Sequence, residues 1–128
     1  RFAERLVDLL YGNGDFALRF DRCATCLDDA KAMRWTVATY FPFLAFPQAH
    51  MFMKPAVTQA AAEACGFELH YRSEPNARTY QALLAFARYL FDELADLAPR
   101  DMIDVQSFIW CIGDEGFART HRAQRRGA

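Results

Sequence analysis

Apolar positions recur at helical spacing along most of the chain. Phe2, Leu6, Leu9 and Leu10 share one side of a predicted helix over 2–11. The stretch "GNGD" at 12–15 ends it, because glycine readily takes the left-handed conformation of a helix C-terminus. Asp15 then caps a second helix over 16–28, with Phe16, Phe20, Cys23 and Leu27 along one face. The plainest periodicity lies at 77–97. Tyr80, Leu83, Leu84, Ala87, Leu90, Phe91 and Leu94 form an i, i+3, i+4, i+7 stripe, while Arg78, Gln81, Arg88, Asp92 and Asp96 fall opposite. Asn76 caps its start, and Pro99 follows its end.

Between these helices the pattern changes. Residues 35–46, "WTVATYFPFLAF", are nearly all apolar and contain Pro42. A proline inside a helix costs about 3 kcal/mol, so a helix over 35–41 and then an irregular apolar segment are expected. Residues 67–72, "FELHYR", alternate Phe67, Leu69 and Tyr71 against Glu68, His70 and Arg72, the period of a half-buried strand. Residues 50–54, "HMFMK", read as a partner strand. Pro55 suits a first helical turn and Gly66 a C-cap, which gives a strand–helix–strand unit. Ala60, Ala61, Ala62 and Ala64 let the intervening helix approach its neighbours closely.

The stretch "PRDMIDVQSFIWCIGDEG" sets Asp101 and Asp104 within an apolar run. As a carboxylate pair they invite an acid–base or metal reading. Spacing favours another one. With Asp101 as N-cap, Asp104 is the third helical residue, and each acid meets the positive end of the helix for roughly 0.5–1 kcal/mol. Met102, Val105, Phe108, Ile109 and Ile112 then form one face, and Gln106 and Trp110 lie a turn apart on another. A Trp off the main stripe points to a second buried contact or to a partner surface. Ile, Val, Phe and Trp also suit a strand over 103–112, but the Pro-Arg-Asp start favours a helix.

Composition changes the picture in three ways. A chain of 128 residues suggests a single domain, 1–116, followed by a basic tail, 117–128. A hydrophobic share of 53 %, with 12 Phe, implies either a dense core or apolar surface covered by a partner. The net charge of −1 is unevenly placed. Arg119, Arg122, Arg125 and Arg126 stand in the tail without an acid, and removing these four from the 15 basic residues leaves 11 against 16 acidic, a net −5. Such a body is a poor generic nucleic-acid binder, and the tail reads first as a solvated terminus. No run of about 18 apolar residues predicts a membrane span. The chain opens on Arg1 rather than Met and is expected to be cut from a longer polypeptide.

Candidate chemistry is sparse. Cys23 and Cys26 form a CxxC whose members are neighbours on a helix, suited to zinc or to a redox pair. Zinc needs about four ligands, and the other donors, Cys65 and His70, lack the tight spacing of a second zinc knuckle. Small core residues and reduced thiols are the simpler expectation. Lys54 and Pro55 at a helix start, with Thr58 one turn in, suit an anion, although no glycine-rich loop precedes them. His50, His70 and His121 are scattered, and neither GxSxG nor HExxH occurs.

The segment "VTQAAAEACGFELHYR" resembles the first helix and turn of a helix-turn-helix: small Ala62, Cys65, then Gly66 four residues after Ala62. The resemblance covers about a dozen residues. Arg72 and Pro75 stand where the second helix should bring apolar residues inward, so no DNA-contacting residue carries over.

The expected fold is mainly α: a compact single domain of five or six helices with a short two-stranded β element at 50–54 and 67–72. The expected function is a non-catalytic binding or protein-interaction domain of a larger bacterial-type cytoplasmic protein, with no cofactor and no membrane contact. Its partner is another protein or a second copy, through Trp35, Tyr71, Arg72, Gln106 and Trp110. The alternatives are nucleic-acid binding through Lys54, Arg72, Arg78, Arg122, Arg125 and Arg126, and a zinc or thiol site at Cys23 and Cys26.

Overall fold

The computed structural model describes residues 2–29 and 34–113. Six α-helices and a single 3₁₀ turn make up its regular structure. They are α1 (Phe2–Tyr11), α2 (Phe16–Asp29), α3 (Trp35–Ala45), α4 (Pro55–Ala64), α5 (Ala77–Glu93), the turn Ala95–Leu97, and α6 (Met102–Gly113). The mainly helical expectation holds, and 103–112 is helix rather than strand. The tail, with Arg122, Arg125 and Arg126, lies outside the described residues.

Local signals place most helix ends. Asp15 accepts from the Ala17 N–H (3.1 Å) to start α2, and Asn76 accepts from the Thr79 N–H (2.9 Å) to start α5. Asp21 of α2 reaches the same end of α5 and accepts from the Ala77 N–H (2.9 Å), so α5 is capped from two directions. Asp101 accepts from the Ile103 N–H (2.9 Å) and starts α6. After α4, Gly66 takes φ 68°. The Phe67 N–H then bonds the Ala62 carbonyl (2.8 Å) and the Gly66 N–H the Glu63 carbonyl (3.1 Å), which completes a Schellman motif.

Three expectations need correction. α3 does not stop before Pro42 but runs through it to Ala45, and the Phe46 N–H bonds the Pro42 carbonyl (2.9 Å). Proline forfeits one backbone bond, and burial of Trp35, Ala38, Thr39 and Pro42 along one side offsets that loss. α5 ends at Glu93 rather than 97, where the chain tightens into the 3₁₀ turn and Ala98 takes φ 51°. No strand forms among the described residues.

The missing β element has a specific cause. Both extended segments satisfy their backbones with side chains. The Tyr80 hydroxyl accepts from the Met51 N–H (3.3 Å) and faces the Met51 carbonyl (3.3 Å), while the Met53 N–H bonds the Thr39 hydroxyl (2.8 Å). In the other segment, the Thr79 hydroxyl donates to the His70 carbonyl (2.7 Å) and the Trp35 indole N–H to the Arg72 carbonyl (2.8 Å). His70 at φ 53° interrupts the extended geometry as well.

α5 is the central element, contacting α2 and α6, and α4 packs most extensively on α6. Tyr80, Leu83, Phe86, Ala87 and Leu90 of α5 are buried. A ladder of rings crosses the core. Tyr80 stacks on Phe20 (4.6 Å, 7°), Phe20 on Trp35 (6.2 Å, 30°), and His50 lies near-parallel to Tyr80 (5.9 Å, 13°). Ala61 and Ala62 bring α4 close to its neighbours, and at Gly113 any Cβ would overlap the Val57 carbonyl.

Candidate functional site

α3 and α6 each carry an inner, buried stripe and an outer, uncharged one. On α3 the inner stripe is Trp35, Ala38, Thr39 and Pro42, and the outer one is Val37, Tyr40, Phe41 and Leu44. On α6 the inner stripe is Met102, Val105, Ile109 and Gly113, and the outer one is Ile103, Gln106, Ser107 and Trp110. The outer spacing, i, i+3, i+4, i+7, is that of a helix-packing surface. A surface helix normally turns charge outward. Here five large apolar side chains face solvent: Tyr40 (47 %), Phe41 (40 %), Leu44 (57 %), Ile103 (48 %) and Trp110 (41 %).

All but Leu44 border one of two grooves. One, of about 400 Å³, is lined by Phe43, Ile103, Gln106, Ser107, Trp110 and Cys111. The other, of about 260 Å³, is lined by Thr36, Val37, Tyr40, Phe41 and Phe52. Phe52 joins them, touching Phe43 on one side (6.2 Å between ring centres) and Tyr40 on the other (6.3 Å). At about 200 Å² for a large apolar side chain, the five exposed portions amount to roughly 450–500 Å² of apolar surface. That lies within the roughly 300–600 Å² of the largest apolar patch on an ordinary monomer, a patch that is often functional.

Two polar features mark the larger groove. The Lys54 ammonium sits 4.3 Å from the centre of the Trp110 ring, a cation–π contact. The Gln106 carbonyl oxygen is buried with no hydrogen-bond partner among the described residues. An acceptor in that state is destabilising by about 1–3 kcal/mol.

The expected contact residues do not all gather here. Gln106 and Trp110 line one groove, as their spacing implied. Trp35, expected at a contact surface, is buried (2 % exposed), because its indole N–H finds the Arg72 carbonyl and its ring stacks on Phe20. Tyr71 is half-buried in a separate depression with Gln59, Glu63 and Glu68. Arg72 is exposed. Of the expected cationic set, Lys54 is held on Trp110, and the Arg78 guanidinium lies 3.4 Å from His70 Nδ1. The turn after α4 leads into extended chain, whereas a helix-turn-helix continues into its second helix.

The thiols divide by burial. Cys23 and Cys26 are buried, and burial, aided by the neighbouring Cys26, pushes the Cys23 thiol up to about 11. It is therefore protonated at neutral pH and a poor nucleophile or metal ligand. Cys65 and Cys111 are exposed, as is His70. Among the described residues no three His, Cys, Asp or Glu side chains converge as a metal site would require. At the N-terminus of α4, Lys54 is exposed while Thr58 is buried with its hydroxyl unpartnered, so the two do not converge on one anion.

The sequence reading missed Tyr40, Phe41 and Leu44. Their signal was present as the second i, i+3, i+4 series in an all-apolar helix. It also missed the pairing of His50 Nδ1 with the Tyr80 hydroxyl (2.9 Å), thirty residues apart. No helix among the described residues is long and apolar enough to cross a membrane. Compared with known proteins, the chain matches no family model, no curated protein and no solved structure.

Proposed function

We propose that this chain is a protein-interaction domain that binds through the outer stripes of α3 and α6. One observation carries the reading: α3 and α6, which both line the larger groove, turn uncharged stripes bearing five large apolar side chains to solvent at helix-packing spacing. Aromatic side chains dominate the face, as they dominate the energetic centres of protein interfaces. Lys54 contacts the face, against the Trp110 ring.

The test is site-specific photo-crosslinking in the cells that produce the protein. A photo-reactive amino acid replaces Tyr40 or Ser107, on the face, or Arg88, exposed on α5 and outside both grooves. Defined protein adducts are expected at Tyr40 and Ser107 and not at Arg88. Equal adduct formation at all three positions, or none at Tyr40 and Ser107, would overturn the proposal.

A further inference from the structure

We infer that the occupant of this face is a second copy of the same chain, joined through antiparallel packing of α6. The inference rests on the interaction reading above and names its partner.

The outer stripe of α6 is its own complement. It runs Ile103, then Gln106 and Ser107, then Trp110: bulky, polar, bulky. That order is the same in either direction. A second α6 laid antiparallel across it, with the two-fold axis at the level between Gln106 and Ser107, sets each Ile103 against the Trp110 of the other copy. Ile103 and Trp110 are seven residues apart, about 10.5 Å along the helix, so both contacts form at once. Such an isologous arrangement closes on itself and needs no second surface.

Two further observations favour a copy over an unrelated partner. First, a cation at the seam, Lys54, lies at the Trp110 end. Antiparallel packing sends the two Lys54 ammonium groups to opposite ends, and the centre stays free of charge. Second, the area is that of a small dimer interface. The exposed apolar side chains supply roughly 450–500 Å² per copy. The half-buried rim of Val37, Phe43 and Phe52 brings this to about 600 Å² per copy, the lower end for specific interfaces.

Sedimentation velocity of the purified full chain over a concentration series tests the inference. A monomer–dimer equilibrium is expected. Trp110→Lys and Ile103→Lys should each weaken the dimer by roughly thirtyfold or more, the effect of losing a central interface residue. Both positions are exposed, and far-UV circular dichroism checks that each variant keeps its helices. Ser107→Cys, in a background with Cys65→Ser and Cys111→Ser, tests the register. Its thiol lies beside the axis, so oxidation should give a disulfide-linked dimer in high yield, whereas Arg88→Cys in that background should not. A chain that stays monomeric at every concentration overturns the inference, as does a dimer indifferent to both lysine variants or a Ser107→Cys variant that does not cross-link. The two levels of the argument separate cleanly. A monomer that still forms defined adducts with a different protein at Ser107 in cells sinks self-association alone. A monomer with no adduct sinks the interaction reading too.

Discussion

Tyr80 is the most heavily used polar side chain in the core. Its hydroxyl meets three groups, the Met51 N–H, the Met51 carbonyl and His50 Nδ1. With neutral His50, Tyr80 donates to Nδ1 and accepts from Met51. With charged His50, Nδ1–H donates instead and the tyrosine proton turns to the Met51 carbonyl. Hydrogen bonding tolerates both states, but charge does not. Burial, and then Arg19, hold His50 below its ordinary value of 6.5. Arg19 cannot swing away easily, because it donates to the Asp8 (3.0 Å) and Leu9 (2.7 Å) carbonyls at the end of α1. The sign follows from linkage. In acid the unfolded chain takes up the His50 proton before the folded one does, so folding stability is full above about 6.5 and declines as pH falls below it. Urea midpoints should therefore drop between about pH 7.5 and 5.5, and His50→Gln should flatten most of that drop. Equal slopes in the two proteins would assign the effect elsewhere.

At the scale of elements, the contact of α4 with α6 turns on Gly113. Replacing a helical glycine with alanine usually stabilises by about 1 kcal/mol. Here the added methyl would run into backbone, the Val57 carbonyl, which has little freedom to yield. Gly113→Ala is expected to lower stability by about 1–3 kcal/mol in chemical denaturation, the range for overpacked sites. Stabilisation by the same change would show that the two helices are not so close. This contact also shows what the sequence makes legible. Helix ends set by one side chain and its own neighbours, such as Asn76, Asp101 and Gly66, can be read directly. The small residues of α4 announce a close approach but not the helix they approach. The extended segments could not be read correctly, because Tyr80 and Thr39 hold one and Thr79 and Trp35 the other. Most of those bonds join residues far apart in sequence. Alternation marks extended chain, and only long-range partners decide whether it joins a sheet. α3 failed for a related reason: burial of one face outweighs the local penalty of Pro42.

For the whole molecule, apolar residues fill the interior around α5 and also reach the surface, at Val7, Tyr11, Leu18, Tyr89 and Leu97 as well as on the outer face of α3 and α6. That outer face was legible in the sequence only as a Trp off its stripe. The two tryptophans fall one on each side of this division. Trp35 is sealed against Phe20, and Trp110 lies at the surface beneath Lys54. The chain thus carries two optical reporters of different events. Trp35 should emit at short wavelength, resist acrylamide quenching and shift to the red only on unfolding. Trp110 should emit further to the red, quench readily in dilute solution and become protected as concentration rises. A Trp110→Phe variant would keep the unfolding signal and lose the concentration-dependent one, so fluorescence alone can follow folding and assembly as separate processes in one sample.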